Sequence, residues 1–367
     1  MPSVEAVNSD NFETVLPLLR SVSTGPDRVF SAKSDDRWRL LADYPWQTER
    51  AERGWMLVEG DEAVGFVGAI FSERMIGGRQ RRFCNLASWY VRPDHRGSSL
   101  ALMRPVLGLH DRTILDVSAT PDVVRLSKRL GFLELDTQMR LVEPPRIGAV
   151  GRIRARTIGL ADRSQDTAAS GQLAATARVK VYVDDWSSAR WLDAEECRVF
   201  LDHDGLPGCH RLVLVTAEGR ASLVVFTHHR RGRTSYSHVQ YVSDQESFLK
   251  HHEDVRRSIY LFTGSPLLIV DARFPWSEVP GSSSALHGSI RLYRPCDDLA
   301  PARIDNLYSE LTMHNAARLP LGVAAVPPPV VARARRRLGQ VRTRGLRRSQ
   351  NDSKRAAIES PVGSRDR

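Results

Sequence analysis

The sequence predicts an α/β (α+β) fold present twice in tandem, and three observations carry that prediction. One order of strands and helices recurs in the two halves, a Pro/Gly/Arg-rich stretch (144–157) separates them, and a polar, basic tail follows. A strand hairpin, a strand ending in Tyr-Val, a helix and an Asp-bearing strand occur over 52–142 and again over 205–295. Tyr90-Val91 aligns with Tyr241-Val242, and ILDV (114–117) with LIVD (268–271). Two unrelated α/β domains are the alternative. The expected boundaries are 1–143 for the first domain, 144–190 for a linker and irregular region, 191–318 for a second, degenerate domain, and 319–367 for the tail.

In the first half, SVEAV (3–7) reads as a strand, and Asp10 as the cap of a helix bearing Phe12, Val15, Leu16 and Leu19 at helical spacing. A second helix is expected over Asp35–Asp43. YPWQTERAERGW (44–55) is taken as helical, with Trp46 and Trp55 as candidate flat surfaces for a sugar or acyl chain. GWMLVEG and AVGFVGAIFSERM form a tight hairpin, and Gly77-Gly78 turns the chain into RRFCNLASWYV. A loop and helix (91–107), the strand TILDVSA (113–119) and a helix closing at Gly131 follow, then two short strands in LELDTQMRLVE. In the second half the elements are a helix over Asp193–Leu201, a hairpin in 210–231, a strand over 234–244, a helix over 245–262 and a strand over 266–274. A last helix is expected in ARIDNLYSELTMHN (302–315).

Composition narrows the functional classes. No run approaches the roughly 20 apolar residues of a membrane-spanning helix. The N-terminus lacks the basic start and apolar run of a signal peptide, so the cytoplasm is the expected location. Cys84, Cys197, Cys209 and Cys296 form no CxxC pair and no zinc pattern, so free thiols and no metal are expected. The neighbours His228-His229 and His251-His252 diverge from each other and read as surface residues. The net charge is +10, but the stretch from Pro320 onward holds twelve Lys and Arg against three acids, which leaves the rest at +1. Nucleic acid is therefore not an expected partner of the folded body.

The segment YVRPDHRGSSLALMRPVL carries the chemistry. A strand ends at Tyr90-Val91, Pro93 stops pairing, and Arg96-Gly97-Ser98-Ser99-Leu100-Ala101 opens a helix. Such a turn points backbone N–H groups outward at a positive helix end, where a diphosphate fits, and Gly97 admits a close approach. Splaying of the strand end would leave backbone groups for a ligand's amide arm.

This segment resembles the coenzyme-A signature of the GNAT acyltransferases, V-x-P-x-x-R-G-x-G-x-G/A, at Val91, Pro93, Arg96, Gly97, Ser99 and Ala101. RLSKRLGF (125–132) is similar to that family's helix ending in Leu-Gly-Phe. The resemblance covers about 3–142, and more faintly 205–295. It implies a GNAT-like mixed sheet flanked by helices, with acyl-CoA (acetyl-CoA) as co-substrate. The diphosphate would lie on the backbone of Arg96–Ala101 and the pantetheine arm on Tyr90–Val91. A backbone N–H near Trp89–Val91 would polarise the acyl carbonyl.

This sequence departs from the pattern at three points. Ser99 replaces a glycine, Pro105 sits inside the following helix, and Ser127 stands where many members carry a thiolate-protonating tyrosine. Asp116 and Ser127 are the candidate acid–base residues, although an acid at a strand end also caps the next turn; Cys84 is a weaker candidate nucleophile.

The resulting expectation is an acyltransferase acting on an amine or hydroxyl of a small-molecule or sugar acceptor. The alternatives are a catalytically inactive CoA-binding or scaffold protein, or a membrane-surface or nucleic-acid partner acting through its tail. SDQESF after Tyr241-Val242 has acids and no glycine, so the second half is expected to bind no coenzyme and to shape the acceptor cleft. In the tail, Val330, Ala334, Leu338 and Val341 share a helical face among arginines. Residues 330–348 are therefore expected as a basic amphipathic helix at an anionic membrane surface, peripheral to the inner face, or else as a disordered tail.

Overall fold

A computed structural model describes residues 2–24, 35–135, 138–142, 171–175, 179–231, 234–265, 267–271, 282–287 and 290–314. The expected amphipathic segment 330–348 and the rest of the tail lie outside these. The first half contains β1 (Ser3–Val7), α1 (Leu16–Thr24), α2 (Asp35–Arg39), β2 (Gly54–Glu59), β3 (Glu62–Ile76) and β4 (Arg79–Val91). Then come α3 (Ser99–Leu107), β5 (Thr113–Asp116), α4 (Pro121–Arg129), β6 (Leu133–Leu135) and β7 (Gln138–Val142). The second half contains β8 (Gly171–Ala175), β9 (Val179–Val183), α5 (Ala194–Asp202), β10 (Cys209–Thr216), β11 (Ala221–Arg231) and β12 (Thr234–Val242). α6 (Gln245–Lys250), α7 (His252–Thr263), β13 (Leu267–Asp271), β14 (Ser282–His287), β15 (Arg291–Arg294) and α8 (Glu310–Met313) complete it.

Two mixed sheets result, in the orders β1-β2-β3-β4-β5-β15-β6 and β14-β7-β13-β12-β11-β10-β9-β8. β2-β3-β4 are antiparallel and β4-β5 parallel; β10-β11-β12 are antiparallel and β12-β13 parallel. The halves therefore share one strand order. A β-bulge interrupts β3–β4 just before Tyr90 and β11–β12 just before Tyr241, so the aligned Tyr-Val pairs follow the same irregularity. The last strands are exchanged. β7, from the first half, lies between β13 and β14 of the second sheet, and β15, from the second half, lies between β5 and β6 of the first. Arg291 on β15 and Asp271 on β13 form a fully buried ion pair that ties the sheets at the crossing.

Apolar patterning sets the layers. One face of β2–β4 packs on Phe12, Leu16, Leu19 and Trp38 of the α1–α2 region. The same cluster runs on to Val199 and Phe200 of α5 and to β10–β11, so these helices fill the space between the sheets. The opposite face of the first sheet meets Leu102, Met103 and Val106 of α3 and Val124 of α4. The opposite face of the second meets Val255, Ile259 and Phe262 of α7.

Several local expectations are corrected. The first turn of the N-terminal helical region is a 3-10 helix, and Asn8 and Asn11 rather than Asp10 close the turn before it, exchanging side chain–backbone bonds of 2.8 and 3.1 Å. Residues 44–53 are not helical, and Trp46 and Trp55 are buried. Trp46 donates Nε1–H to the Phe71 carbonyl at 2.8 Å and meets Tyr308 edge-on, so it is an internal strut. His229 and His251 are buried rather than at the surface. Over 302–315 only α8 is α-helical; a 3-10 turn and an irregular stretch precede it. β8 and β9 fall in the region expected to be irregular and extend the second sheet. α5 begins where the sequence placed it, with Asp193 and Glu196 forming a reciprocal capping box.

Candidate acyl-CoA site

The first sheet opens where the motif begins. β4 pairs with β5 only through Phe83–Asn85 and Thr113–Leu115. Beyond Asn85 the two strands part, and Leu86–Val91 pair with β3 alone. The edge of β4 facing the opening therefore holds backbone groups that no described residue bonds. Ser88 is the hinge of the bulge, with φ +56° in the left-handed region and a buried hydroxyl without a partner among the described residues. Beyond it Trp89 and Val91 pack with the α3 cluster, while Tyr90 packs on the opposite face with the α1–α2 cluster.

The motif follows as a 3-10 helix over Pro93–Ser98 that runs into α3. This is tighter than the open turn expected. The His95 N–H donates to the Arg92 carbonyl, and the Ser99 N–H to that of Arg96. Gly97 faces solvent, and a Cβ built there meets nothing within 4 Å. The protein's own packing thus leaves the space in front of Gly97 empty. Arg96, Leu100 and Ala101 are exposed, and Ser98 and Ser99 half-buried. Arg92 is paired with Glu62 at 2.9 Å. His95 lies between Glu59 at 2.7 Å and Asp94 at 3.0 Å, which raises its pKa, chiefly through the bond to Glu59. Among the described residues Arg96 has no side-chain partner, so it is the cation of the loop left for an anion. Pro105 falls in the last turn of α3, where the helix ends within two residues.

Asp116 ends β5 opposite Leu292 of β15, buried, with an oxygen accepting the Ser118 N–H at 3.3 Å. Burial pushes its carboxyl up to about 6. Ser127 lies on the inner face of α4; its hydroxyl is buried and has no hydrogen-bond partner among the described residues. α4 ends at Leu130, where Gly131 (φ +88°) and Phe132 donate back to the Lys128 and Ser127 carbonyls in a Schellman closure. Cys84 is fully buried and its thiol is pushed up to about 12, so it is core rather than nucleophile. Among the described residues no three His, Cys, Asp or Glu side chains converge to hold a metal, and no helix is long and apolar enough to cross a membrane.

The second sheet opens in the same way beyond His238 and Ile269, but its opening is filled. Asn306 donates Nδ2–H to Gln240 Oε1 at 3.0 Å, and its backbone N–H points to the Gln240 carbonyl at 3.5 Å. Gln240 is the bulge residue aligned with Trp89, and it donates in turn to Thr227 at 2.8 Å. Asp244 caps α6 through the Ser247 N–H at 3.0 Å and pairs with Arg220 at 3.0 Å. A carboxylate thus occupies the loop that in the first half presents Arg96-Gly97. Sequence reasoning did not foresee Asn306, since nothing in the local pattern links it to Gln240.

Residues 19–103 match the model of the acetyltransferase (GNAT) family. No curated protein matches the chain. Among solved structures, a probable N-acyltransferase from Enterococcus faecalis V583 is 10% identical with a TM-score of 0.47, over 80% of this chain and 72% of that one. A GCN5-related N-acetyltransferase from Kribbella flavida is 16% identical with a TM-score of 0.46, over 81% and 72%. A tandem GNAT protein from the clavulanic acid biosynthesis pathway is 13% identical with a TM-score of 0.43, over 82% and 100%. The assignment rests instead on the family match and on the strand pairing. A parted β4–β5 pair, the bulge before Tyr90, the RGSS helix and the Leu-Gly-Phe closure all lie on the first sheet, and the second repeats its strand order: residues 19–103 match the acetyltransferase (GNAT) family within the first of two folds of one strand order in tandem.

Proposed function

We propose that this protein transfers an acetyl or other acyl group from acyl-CoA to an amine or hydroxyl of a small-molecule or sugar acceptor, using the opening of its first sheet. The observation that carries the proposal is the empty space at Gly97 beside an unpaired Arg96, next to an unbonded edge of β4. The site fits the coenzyme: Arg96 and the Ser98 hydroxyl would hold the diphosphate, and the β4 edge would bond the pantetheine amides. Bound acyl-CoA supplies an activated thioester. The Trp89–Val91 backbone, aimed by the bulge, polarises the acyl carbonyl. Asp116, buried one residue past the last β4–β5 pair and with a pKa of about 6, takes the acceptor's proton through water. The Ser127 hydroxyl, buried without a partner, gains one when a sulfur enters the opening.

Calorimetric titration of acetyl-CoA into the parent and into Gly97→Gln tests this. The parent is expected to bind. Gly97→Gln is expected to fold normally, since its Cβ has open space, and to bind at least about tenfold more weakly because the side chain fills the diphosphate position. No binding to the parent, or equal affinity in the variant, refutes the assignment. The basic segment 330–348, which in this reading rests on an anionic membrane, is tested by vesicle co-sedimentation with and without residues 327–367.

A further inference from the structure

The second sheet's opening is closed at its root by Asn306, yet its mouth is not filled. A cavity of about 540 Å³ remains there, lined by Arg74 and Gly77 from the β3–β4 hairpin, Tyr241 and Gln245 from the end of β12 and start of α6, and Arg303 and Asp305 from the C-terminal segment. Three separate parts of the chain thus build one pocket. It lies at the hairpin end of β4, about 40 Å along that strand from Val91 at a rise of about 3.3 Å per residue.

The polar groups of this pocket are unevenly matched. Its two carboxylates are engaged. Asp305 pairs with Arg74 and accepts the Leu307 N–H at 3.0 Å, and Asp244 holds Arg220 and caps α6. Several donors are not. Arg303 is exposed and has no partner among the described residues. The Arg74 guanidinium, by contrast, is held by Asp305, with Glu195 3.8 Å from its Nε. The Tyr241 hydroxyl and the Gln245 amide also have no partner among the described residues. Spare donors around a cavity of this size call for a ligand rich in acceptors.

We propose that this pocket is a second binding site, taking a small molecule that carries a carboxylate or phosphate, held by Arg303, Tyr241 and Gln245. The coenzyme does not fit here. Its pantetheine arm would need the slot that Asn306 occupies, and its diphosphate would meet Asp244 where the first half offers Gly97. The second fold has in this way kept the location of a ligand site and changed its ligand. The inference stands independently of acyl transfer at the first sheet.

Calorimetry with citrate and with inorganic phosphate as probes decides it. Saturable one-to-one binding of at least one probe is expected. Arg303→Gln, an exposed and unpaired position whose change leaves the fold intact, is expected to weaken it at least about tenfold, the loss of one charge-assisted bond. Gly97→Gln is expected to leave probe binding unchanged, and Arg303→Gln to leave acetyl-CoA binding unchanged. The proposal is overturned if neither probe gives saturable heat, or if Arg303→Gln binds as the parent does. It is equally overturned if acetyl-CoA displaces the probe and loses affinity in Arg303→Gln, for the pocket would then be a coenzyme site.

Discussion

Asp116 shows how one side chain ties stability to chemistry. Burial raises its carboxyl from 3.8 to about 6, so the folded protein holds a proton that the unfolded chain releases between those values. The stability linked to the protonated acid is fully present below about pH 4 and is lost as pH rises through about 6. Asp116→Asn keeps an acceptor for the Ser118 N–H and has no charge to bury. Its stability is expected to exceed the parent's at neutral pH by up to about 3 kcal/mol and to match it near pH 4, read as a higher melting temperature at the former pH only. The same substitution removes the proposed base, so acetyl transfer should fall and the limb of the kcat/KM profile near pH 6 should vanish. Raised stability with unchanged turnover would leave Asp116 as a turn cap only.

At the scale of elements, the bulge of β4 is where conformational strain meets the site. Ser88 holds a left-handed conformation that costs an L-residue roughly 1–2 kcal/mol, partly regained by a glycine. Ser88→Gly should therefore be neutral or slightly stabilising and keep its turnover. Ser88→Val should be destabilised by roughly 1–3 kcal/mol in urea unfolding, and its turnover should fall as Trp89–Val91 shift. Most elements around this bulge were legible in the sequence, because the alternation in GWMLVE and FVGAIF, the Gly77-Gly78 turn and the Thr120–Gly131 helix signals are all local. The RGSS segment was legible for the same reason. β9, VKVYV, alternates cleanly, but a polar stretch hides it. Residues 44–53 carry helix-forming residues that packing around Trp46 overrides. The positive φ of Ser88 and the bond from Asn306 to Gln240 left no trace, since both follow from which strands meet. β7 and β15 were expected as strands or left unassigned, and their short apolar patterns report burial without naming a partner.

At the scale of the molecule, strand exchange makes the two folds interdependent. A chain ending at residue 143 carries β7 without the second sheet that receives it and lacks β15, leaving β5 with a bare outer edge and β6 without a partner strand. Expressed alone, either half is expected to aggregate or to melt without a cooperative transition, whereas the whole chain should unfold in a single calorimetric step. Co-expressed halves should recover both sheets and acetyl-CoA binding. An independently folded, monomeric first half would refute this interdependence. Arg291, buried against Asp271, is the residue most open to test: Arg291→Met takes its ion-pair partner from that buried carboxylate and should cost roughly 3–5 kcal/mol.

The exchange also sets a timetable for synthesis. The strand that completes the first sheet, β15, leaves the ribosome long after β5, since Leu292 must find Asp116 across the whole of the second half. At about 5–20 residues per second the nascent first half waits on the order of ten seconds or more with its edges bare. During that interval the newborn chain is a substrate for chaperones and for mispairing with its neighbours on the same message. Slowing or hastening translation between β7 and β15 should therefore change how much folded protein is recovered without altering a single contact in the finished molecule.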